Sequence, residues 1–262
     1  MPPAPSPRRI AGMFNTIIVG VDGRAGGEDA LALARALSGE GTQLVPVTAD
    51  GGSPAAALHT AAAEHAADLI AIGSAHHGPV GRLLLGDAGR GVLHDAPCAV
   101  AVAPRDYREA AEPVRRIVVG FDASPEAEAA LALAAQLTAA RGGSVTCCTA
   151  WDIPTTASAG MYYMTELDSV MADVEREARQ RQADARFAYP GVAGDVRRGR
   201  PRAVLEEASQ GADLLVVGSR GAGALRRVAL GSTSDHLVHH AQCPVLVVPR
   251  PAVAATEAST AA

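Results

Sequence analysis

What the 262-residue sequence has little of narrows its function first. It carries no basic excess: 23 Lys and Arg stand against 28 Asp and Glu, a formal charge of −5. Arginine pairs such as Arg197-Arg198 and Arg226-Arg227 are short, the pattern of a solvated face, so nucleic acid is not an expected partner. Aromatic residues are scarce at 3%, and Ala, Val, Leu and Gly dominate instead. Such small residues suit buried parallel strands under closely packed helices. The four cysteines, Cys98, Cys147, Cys148 and Cys243, form no C-x-x-C pair and suggest no disulfide framework. Cys147 and Cys148 are neighbours in a strand-like run, so their side chains are expected on opposite faces. His236, His239 and His240 share a helix-like stretch, where a packed or solvated role outweighs a metal site. No apolar run reaches transmembrane length, and no apolar core follows the Pro- and Arg-rich start. No membrane partner is therefore expected, and the expected location is cytoplasmic. Residues 1–12 and 251–262 read as extensions outside the fold.

What is present is a repeat. Hydrophobic residues make up 48% of the chain and charged residues 19%, enough for a packed core. The run Ile17-Ile18-Val19-Gly20-Val21-Asp22 returns as Ile117-Val118-Val119-Gly120-Phe121-Asp122, an offset of 100 (117 − 17). Further along, Ala67-Asp68-Leu69-Ile70 returns as Ala212-Asp213-Leu214-Leu215, an offset of 145 (212 − 67). The first repeat is thus 45 residues shorter (145 − 100) between its first helix and its later strand. Two domains are expected, at 13–105 and 114–250, joined by the charged, Pro-closed stretch 106–113.

The second repeat reads as strands alternating with helices. Residues 116–121 are a β-branched strand, and Ser124-Pro125 resembles an N-cap followed by Pro at the first helical position. Arg141-Gly142-Gly143 stops that helix. Strands follow at 144–151, 195–198, 213–217 and 244–248, with helices at 161–187, 201–210 and 231–240. Alternation of this kind implies parallel pairing by right-handed crossovers and a doubly wound α/β sheet. In the first repeat only a strand at 43–47 and a helix at 54–66 stand between the opening and closing elements. They read more like the third strand and third helix of the second repeat, so about one strand–helix unit, including the long helix, is expected to be missing.

Ligands of such sheets bind beyond the carboxyl ends of the strands. There the second repeat places Asp122, able to accept hydrogen bonds from an amine or a ribose. It also places Gly218-Ser219-Arg220-Gly221-Ala222-Gly223 after a buried strand, and Leu230-Gly231-Ser232-Thr233-Ser234 at the opening of a helix. Glycines let the backbone approach phosphates, and free amides at a helix start favour anions. No Gly-Lys-Ser/Thr is present, so this is not a Walker A loop, and no lysine stands at the phosphate positions.

Asp122 with G-x2-G-x9-G-[ST], realised as Gly218, Gly221, Gly231 and Ser232, resembles the universal stress protein family over nearly all of residues 13–250. The resemblance implies two tandem domains of the adenine nucleotide alpha hydrolase-like type. It implies ATP as ligand, with Asp122 at the adenine and a backbone group near Ala150 completing its recognition. Gly218 and Gly221 would line the ribose–phosphate path, and Gly231, Ser232 and Thr233 would hold phosphate, with Mg²⁺ an optional companion of the hydroxyls. It further implies that the last strands, at 99–103 and 244–248, pair across a two-fold within one chain; a dimer of chains stays open.

The first repeat departs from this pattern. Gly73 and Gly86 correspond to Gly218 and Gly231, but His76 stands for Gly221, Asp87 for Ser232 and Ala88 for Thr233. A histidine obstructs the loop, and a carboxylate at the helix start repels phosphate. The expectation is a second domain that binds nucleotide and a first that supports it. No dedicated lysine, acidic metal pair or His–Asp–Ser arrangement accompanies the loop, so a sensor or regulator is expected rather than an enzyme. Slow ATP hydrolysis remains compatible with it. Arg220 and Arg226 are the cations within reach, with a solvent-facing role favoured for each.

Overall fold

The structure is a computed structural model that describes residues 14–49, 52–74, 85–109, 113–153, 164–221 and 230–250. The first repeat runs β1 (Thr16–Gly20), α1 (Ala25–Leu37), β2 (Gln43–Val47), α2 (Pro54–Glu64), β3 (Leu69–Gly73), α3 (Asp87–Leu93) and β4 (Ala99–Ala103). The second opens with β5 (Arg116–Gly120), α4 (Pro125–Arg141), β6 (Ser144–Trp151) and α5 (Met164–Ala188). It closes with β7 (Ala193–Arg198), α6 (Pro201–Ser209), β8 (Leu214–Gly218), α7 (Ser232–His240) and β9 (Val245–Val248).

The nine strands of the described residues share one sheet, in the order β2-β1-β3-β4-β9-β8-β5-β6-β7. Every neighbouring pair is parallel except β4 and β9, which run antiparallel with Ala101 opposite Leu246. The repeats therefore meet strand to strand at the middle of the sheet. Helices cover both faces, which is why the central strands read as unbroken apolar runs. Ile17, Val19, Leu131, Val216 and Leu246 belong to the core on the face of α1 and α4. Ile18, Leu58, Val92, Leu205, Leu215 and Leu237 belong to the core under α2, α3, α6 and α7. Cys147 lies in the first core and Cys148 in the second, as the two-residue period of a strand requires.

Local chemistry sets the boundaries. Ser124 caps α4, its hydroxyl accepting the Ala127 amide at 3.2 Å, with Pro125 as first helical residue. At the far end Gly142 (φ +75°) and Gly143 (φ +128°) turn the chain back into β6. A Cβ on Gly143 would stand 2.3 Å from the Arg115 carbonyl oxygen, so no other residue fits there. An aspartate before β3 and β8 clamps the start of each repeat's first strand. Asp68 Oδ2 accepts the amides of Asn15 (2.7 Å) and Thr16 (3.2 Å). Asp213 accepts the amides of Arg115 (3.1 Å) and Arg116 (2.8 Å) and two bonds from the Arg116 guanidinium.

One expectation is corrected. The strand at 43–47 stands beside β1, with Gln43 opposite Thr16 and Val47 opposite Gly20. This is the place of β6 beside β5, where Ser144 faces Arg116 and Cys148 faces Gly120. The first repeat therefore keeps its second strand, not its third. Among the described residues nothing in it answers to α5 or β7. The connection between repeats is partly ordered by the core. Asp29, buried in α1, accepts the amides of Asp106 (2.9 Å) and Arg108 (3.0 Å), and Tyr107 is buried beside it. No helix of the described residues is long and apolar enough to cross a membrane.

Candidate functional site

The second-repeat residues converge beyond the carboxyl ends of β5 and β8, the switch point of the sheet. A cavity of about 480 Å³ opens there, lined by Asp122, Gly218, Gly221, Gly231, Ser232 and Thr233. Gly120, Leu205 and Arg220 complete much of its wall. Asp122 leaves β5 and bends the chain into α4, its Oδ1 accepting the Ser124 amide at 3.0 Å. Ala123, between them, takes φ +61°, a left-handed value that an alanine adopts at a cost of about 1 kcal/mol.

Asking what a Cβ would meet at each glycine separates their roles. At Gly218 it would lie 2.7 Å from Glu126 Cβ, so this glycine lets the start of α4 close onto β8. At Gly221 it would lie 2.6 Å from Asp122 Oδ2, so the loop and the carboxylate touch only because the side chain is absent. At Gly231 the nearest atoms, Arg220 Cα and Ser219 O, are 3.4 Å away, ordinary contact distances. Its φ of −69° suits any residue. Among the described residues nothing requires glycine at 231.

Gly231 is the N-cap of α7 and has no side chain to cap the helix. The first bond of the helix is the Asp235 amide to the Gly231 carbonyl, 2.8 Å. The amides of Ser232, Thr233 and Ser234 precede it, the position where a helix presents unsatisfied donors and the positive end of its dipole. Ser234 Oγ is engaged elsewhere, donating to the Gly218 carbonyl at 2.6 Å. The Ser232 side chain is exposed and Thr233 half-buried. Arg220 corrects its expectation of a solvent-facing role: it is half-buried and lines the cavity, and its Nε meets no hydrogen-bond partner among the described residues. Arg226 lies outside those residues. Sequence reasoning missed Glu126, 3% exposed at the start of α4 and 3.4 Å from Arg250 Nε. Its signal was its place directly after Ser124-Pro125, opposite a glycine at a strand end.

Comparison with known proteins decides the family. A profile of the universal stress protein family matches residues 28–104 and 113–249. The chain belongs to the universal stress protein family. A universal stress protein of Mycobacterium tuberculosis is 32% identical over 185 residues, covering 69% of this chain and 61% of that protein. One of Mycolicibacterium smegmatis is 30% identical, covering 71% and 63%. The chain thus spans under two thirds of these relatives' length. Two solved structures share the fold. A universal stress protein of Archaeoglobus fulgidus aligns at TM-score 0.64 and 19% identity, over 90% of this chain and 99% of that one. One of Pseudomonas aeruginosa aligns at TM-score 0.67 and 17% identity, over 90% and 93%.

Within this universal stress protein, one residue of the expected set stands apart. Ala150 is on β6, opposite Arg197 of β7, and is not among the residues lining the cavity. In the first repeat Gly86 caps α3 as Gly231 caps α7, and Asp87 opens α3 with its carboxylate in the first turn. His76 lies outside the described residues. Other candidate chemistry is occupied by structure. Burial pushes the thiols of Cys98, Cys147, Cys148 and Cys243 up to about 12, which removes them as nucleophiles. His236 Nε2 meets Glu206 Oε2 at 2.8 Å and stacks on His240, while Arg90 reaches His239 from the other repeat.

Proposed function

We propose that this universal stress protein binds ATP in the cleft of its second repeat and works as a stress-response sensor whose ligand state biases a partner or an interface. The observation that carries the reading is Gly231. It heads a helix with no side-chain cap, lines a cavity of about 480 Å³, and is glycine although no described residue crowds the place of its side chain. A phosphate resting on the α7 amides supplies the missing reason, because a side chain there would hold it off.

In this arrangement Ser232 and Thr233 add hydroxyl donors, and the same oxygens suit a phosphate-bound Mg²⁺. Among the described residues Arg220 supplies the one cation lining the cleft, and the sequence contains no lysine. Asp122 lines the same cleft, where its carboxylate suits the adenine amine or the ribose. Among the described residues the charged ones lining the cleft are Asp122 and Arg220, and Asp122 already holds a backbone amide. Among the described residues lining the cleft none but Asp122 is a candidate base, and its carboxylate is engaged, so binding without efficient turnover is the proposed activity.

The steric demand at Gly218 favours a second reading for that residue alone, as a packing glycine. It does not extend to Gly231. The test is ATP-dependent thermal stabilisation of wild type, Gly231→Val and Ser232→Asp. ATP at a hundredfold excess over its dissociation constant stabilises a binding protein by about 2.7 kcal/mol. Wild type is expected to gain a shift of that order and both variants to lose it. Equal shifts in all three proteins would place the nucleotide elsewhere.

A further inference from the structure

Besides the cleft of the second repeat, the described residues surround a cleft beyond β1 and β3 of the first and a smaller cavity on the seam between the repeats. The seam cavity exists because the repeats meet unequally. Helix α7 stays helical through His240, and His239 reaches across to the first repeat. Its Nδ1 accepts the Leu85 amide at 3.2 Å, and its side chain is 8% exposed. His94 holds the matching position in the first repeat, at the same offset of 145 (239 − 94). There α3 ends at Leu93, and His94 leaves the helix with extended backbone (φ −76°, ψ 120°). Its ring turns to Asp95, 2.9 Å away, and its side chain is 63% exposed. The histidine that seals one side of the seam leaves the other open. A cavity of about 280 Å³ lies there, between the turn of Leu93, Asp95 and Ala96 and the loop Ser219-Arg220 after β8.

Val100 of β4 and Val247 of β9 give this cavity an apolar wall, continued by Leu93 and Pro249. Its charged lining is Arg220, Arg250 and Asp95, and the three are not equivalent. Arg250 Nε stands 3.4 Å from the carboxylate of Glu126, which offsets its charge. The Asp95 side chain is mostly exposed and engaged by His94, where water and salt screen it. Arg220 is half-buried, and its Nε is fully buried. Among the described residues its guanidinium has neither a hydrogen bond nor an ion pair. A cation withdrawn from water without a counter-charge is a net cost to the folded chain, and a bound anion offsets it. The same Arg220 also lines the nucleotide cleft, so one guanidinium serves both cavities.

We propose that the seam cavity is an effector site for a short-chain carboxylate, which bonds the Arg220 guanidinium, lays its chain on Val100 and Val247, and lowers the affinity of the nucleotide cleft by sharing Arg220. The volume falls just below the roughly 300–1,000 Å³ of sites for drug-sized ligands, so the ligand has few atoms. A planar guanidinium matches a carboxylate through two parallel bonds. The apolar wall favours a short alkyl chain behind that head group. Asp95 disfavours a second negative charge on the ligand. The effect on ATP rests on the nucleotide reading of the second cleft; the carboxylate site itself does not. Two anions drawing on one guanidinium each bind less tightly when both are present, and linkage makes that loss mutual.

Isothermal titration of the full chain with sodium butyrate, 1-butanol, inorganic phosphate and ATP tests this in wild type, Ala96→Phe and Arg220→Gln. Ala96 is half-buried and lines the seam cavity but not the nucleotide cleft, so phenylalanine there fills only the seam cavity. Wild type is expected to take one butyrate per chain, and to bind 1-butanol and phosphate at least tenfold more weakly. Ala96→Phe is expected to lose butyrate and keep the ATP affinity of wild type, which also reports an intact fold. Arg220→Gln is expected to weaken butyrate about tenfold, the worth of a hydrogen bond to a charged group at the lower end of its range. Saturating butyrate is expected to weaken ATP binding to wild type about fivefold, a modest coupling between sites. Butyrate binding that is absent from wild type, kept in Ala96→Phe, indifferent to Arg220→Gln or weaker than phosphate binding overturns the proposal. ATP affinity unchanged by butyrate overturns the sharing of Arg220. If ATP binds and butyrate does not, this site falls and the nucleotide reading stands. If butyrate binds, is lost in Ala96→Phe, and ATP does not bind wild type, the carboxylate site stands and the nucleotide reading falls.

Discussion

The two clefts are built on one plan and differ in their lining. One lies beyond β1 and β3 and the other beyond β5 and β8, each holds an aspartate, Asp22 or Asp122, and each reaches a glycine-capped helix, α3 or α7. Val47, Thr48 and Ala49 line the first cleft, whereas no described residue of β6 lines the second. The second reaches a nine-residue helix opening with Ser232 and Thr233, the first a seven-residue helix opening with Asp87. The lesson is that a cleft and its charge are separable. Apolar walls set by strand spacing and glycines survive, while the residues that open the neighbouring helix are exchanged.

The largest stability contrast between the repeats concerns the glycine that ends β3 or β8. A Cβ on Gly73 would stand 2.0 Å from the Gly26 carbonyl oxygen, a backbone atom, whereas on Gly218 it would meet Glu126 Cβ at 2.7 Å. Overpacking usually costs about 1–3 kcal/mol, and a backbone clash lies at or above the top of that range. Gly73→Ala is therefore expected to destabilise more than Gly218→Ala in urea unfolding. Equal losses would show that α1 and α4 shift with similar ease.

A smaller contrast lies in the aspartate clamps. Asp213 accepts two amides and the Arg116 guanidinium, while the bonds described at Asp68 are two amides. Asp213→Ala is expected to cost about 2 kcal/mol, and Asp68→Ala about half of that. Burial alone would raise the Asp213 carboxyl, but the Arg116 side chain and the two amides hold it below the usual carboxylate range. A depressed value contributes stability that is present above the unfolded pKa and is lost as pH falls through the folded one. The difference between wild type and Asp213→Ala is thus expected to shrink below about pH 4. A difference that persists at pH 2 would mean the clamp acts by packing.

The smallest contrast is at the turn after the first strand. Ala123 holds φ +61° where the first repeat uses Gly23 at φ +68°. Relief of left-handed strain is worth about 1–2 kcal/mol, and glycine's extra freedom in the unfolded chain returns about 0.5–1 of it. Ala123→Gly is expected to raise the melting temperature slightly; a fall would assign the alanine methyl a packing role that exceeds its strain.

Much of this was legible in the residues. Strand β6 lies where the alternation put it, and Ser124-Pro125 caps α4 as its chemistry requires. Asp122, Gly218, Gly221, Gly231, Ser232 and Thr233 do meet in one cleft. The place of β2 was not legible, because the strand residues of 43–47 bear no likeness to those of 144–148. The signal that would have found it is the Thr-Ala pair just beyond, at Thr48 and Thr149. The first cleft was hidden for a different reason. Its walls come from four separate elements, and no spacing along the chain reveals that Leu58, Ile72 and Val92 enclose a space. Likewise the division of labour among the glycines, two answering to protein atoms and one not, follows only from distances.

The central claim is that the second cleft alone accepts ATP. Equilibrium dialysis of ATP against wild type and the matched pair Gly231→Val and Gly86→Val measures it directly, since these residues hold the same N-cap position in α7 and α3. The account predicts one ATP per chain in wild type, one in Gly86→Val and none in Gly231→Val. Two ATP per chain in wild type, or ATP lost with Gly86→Val and kept with Gly231→Val, would contradict it.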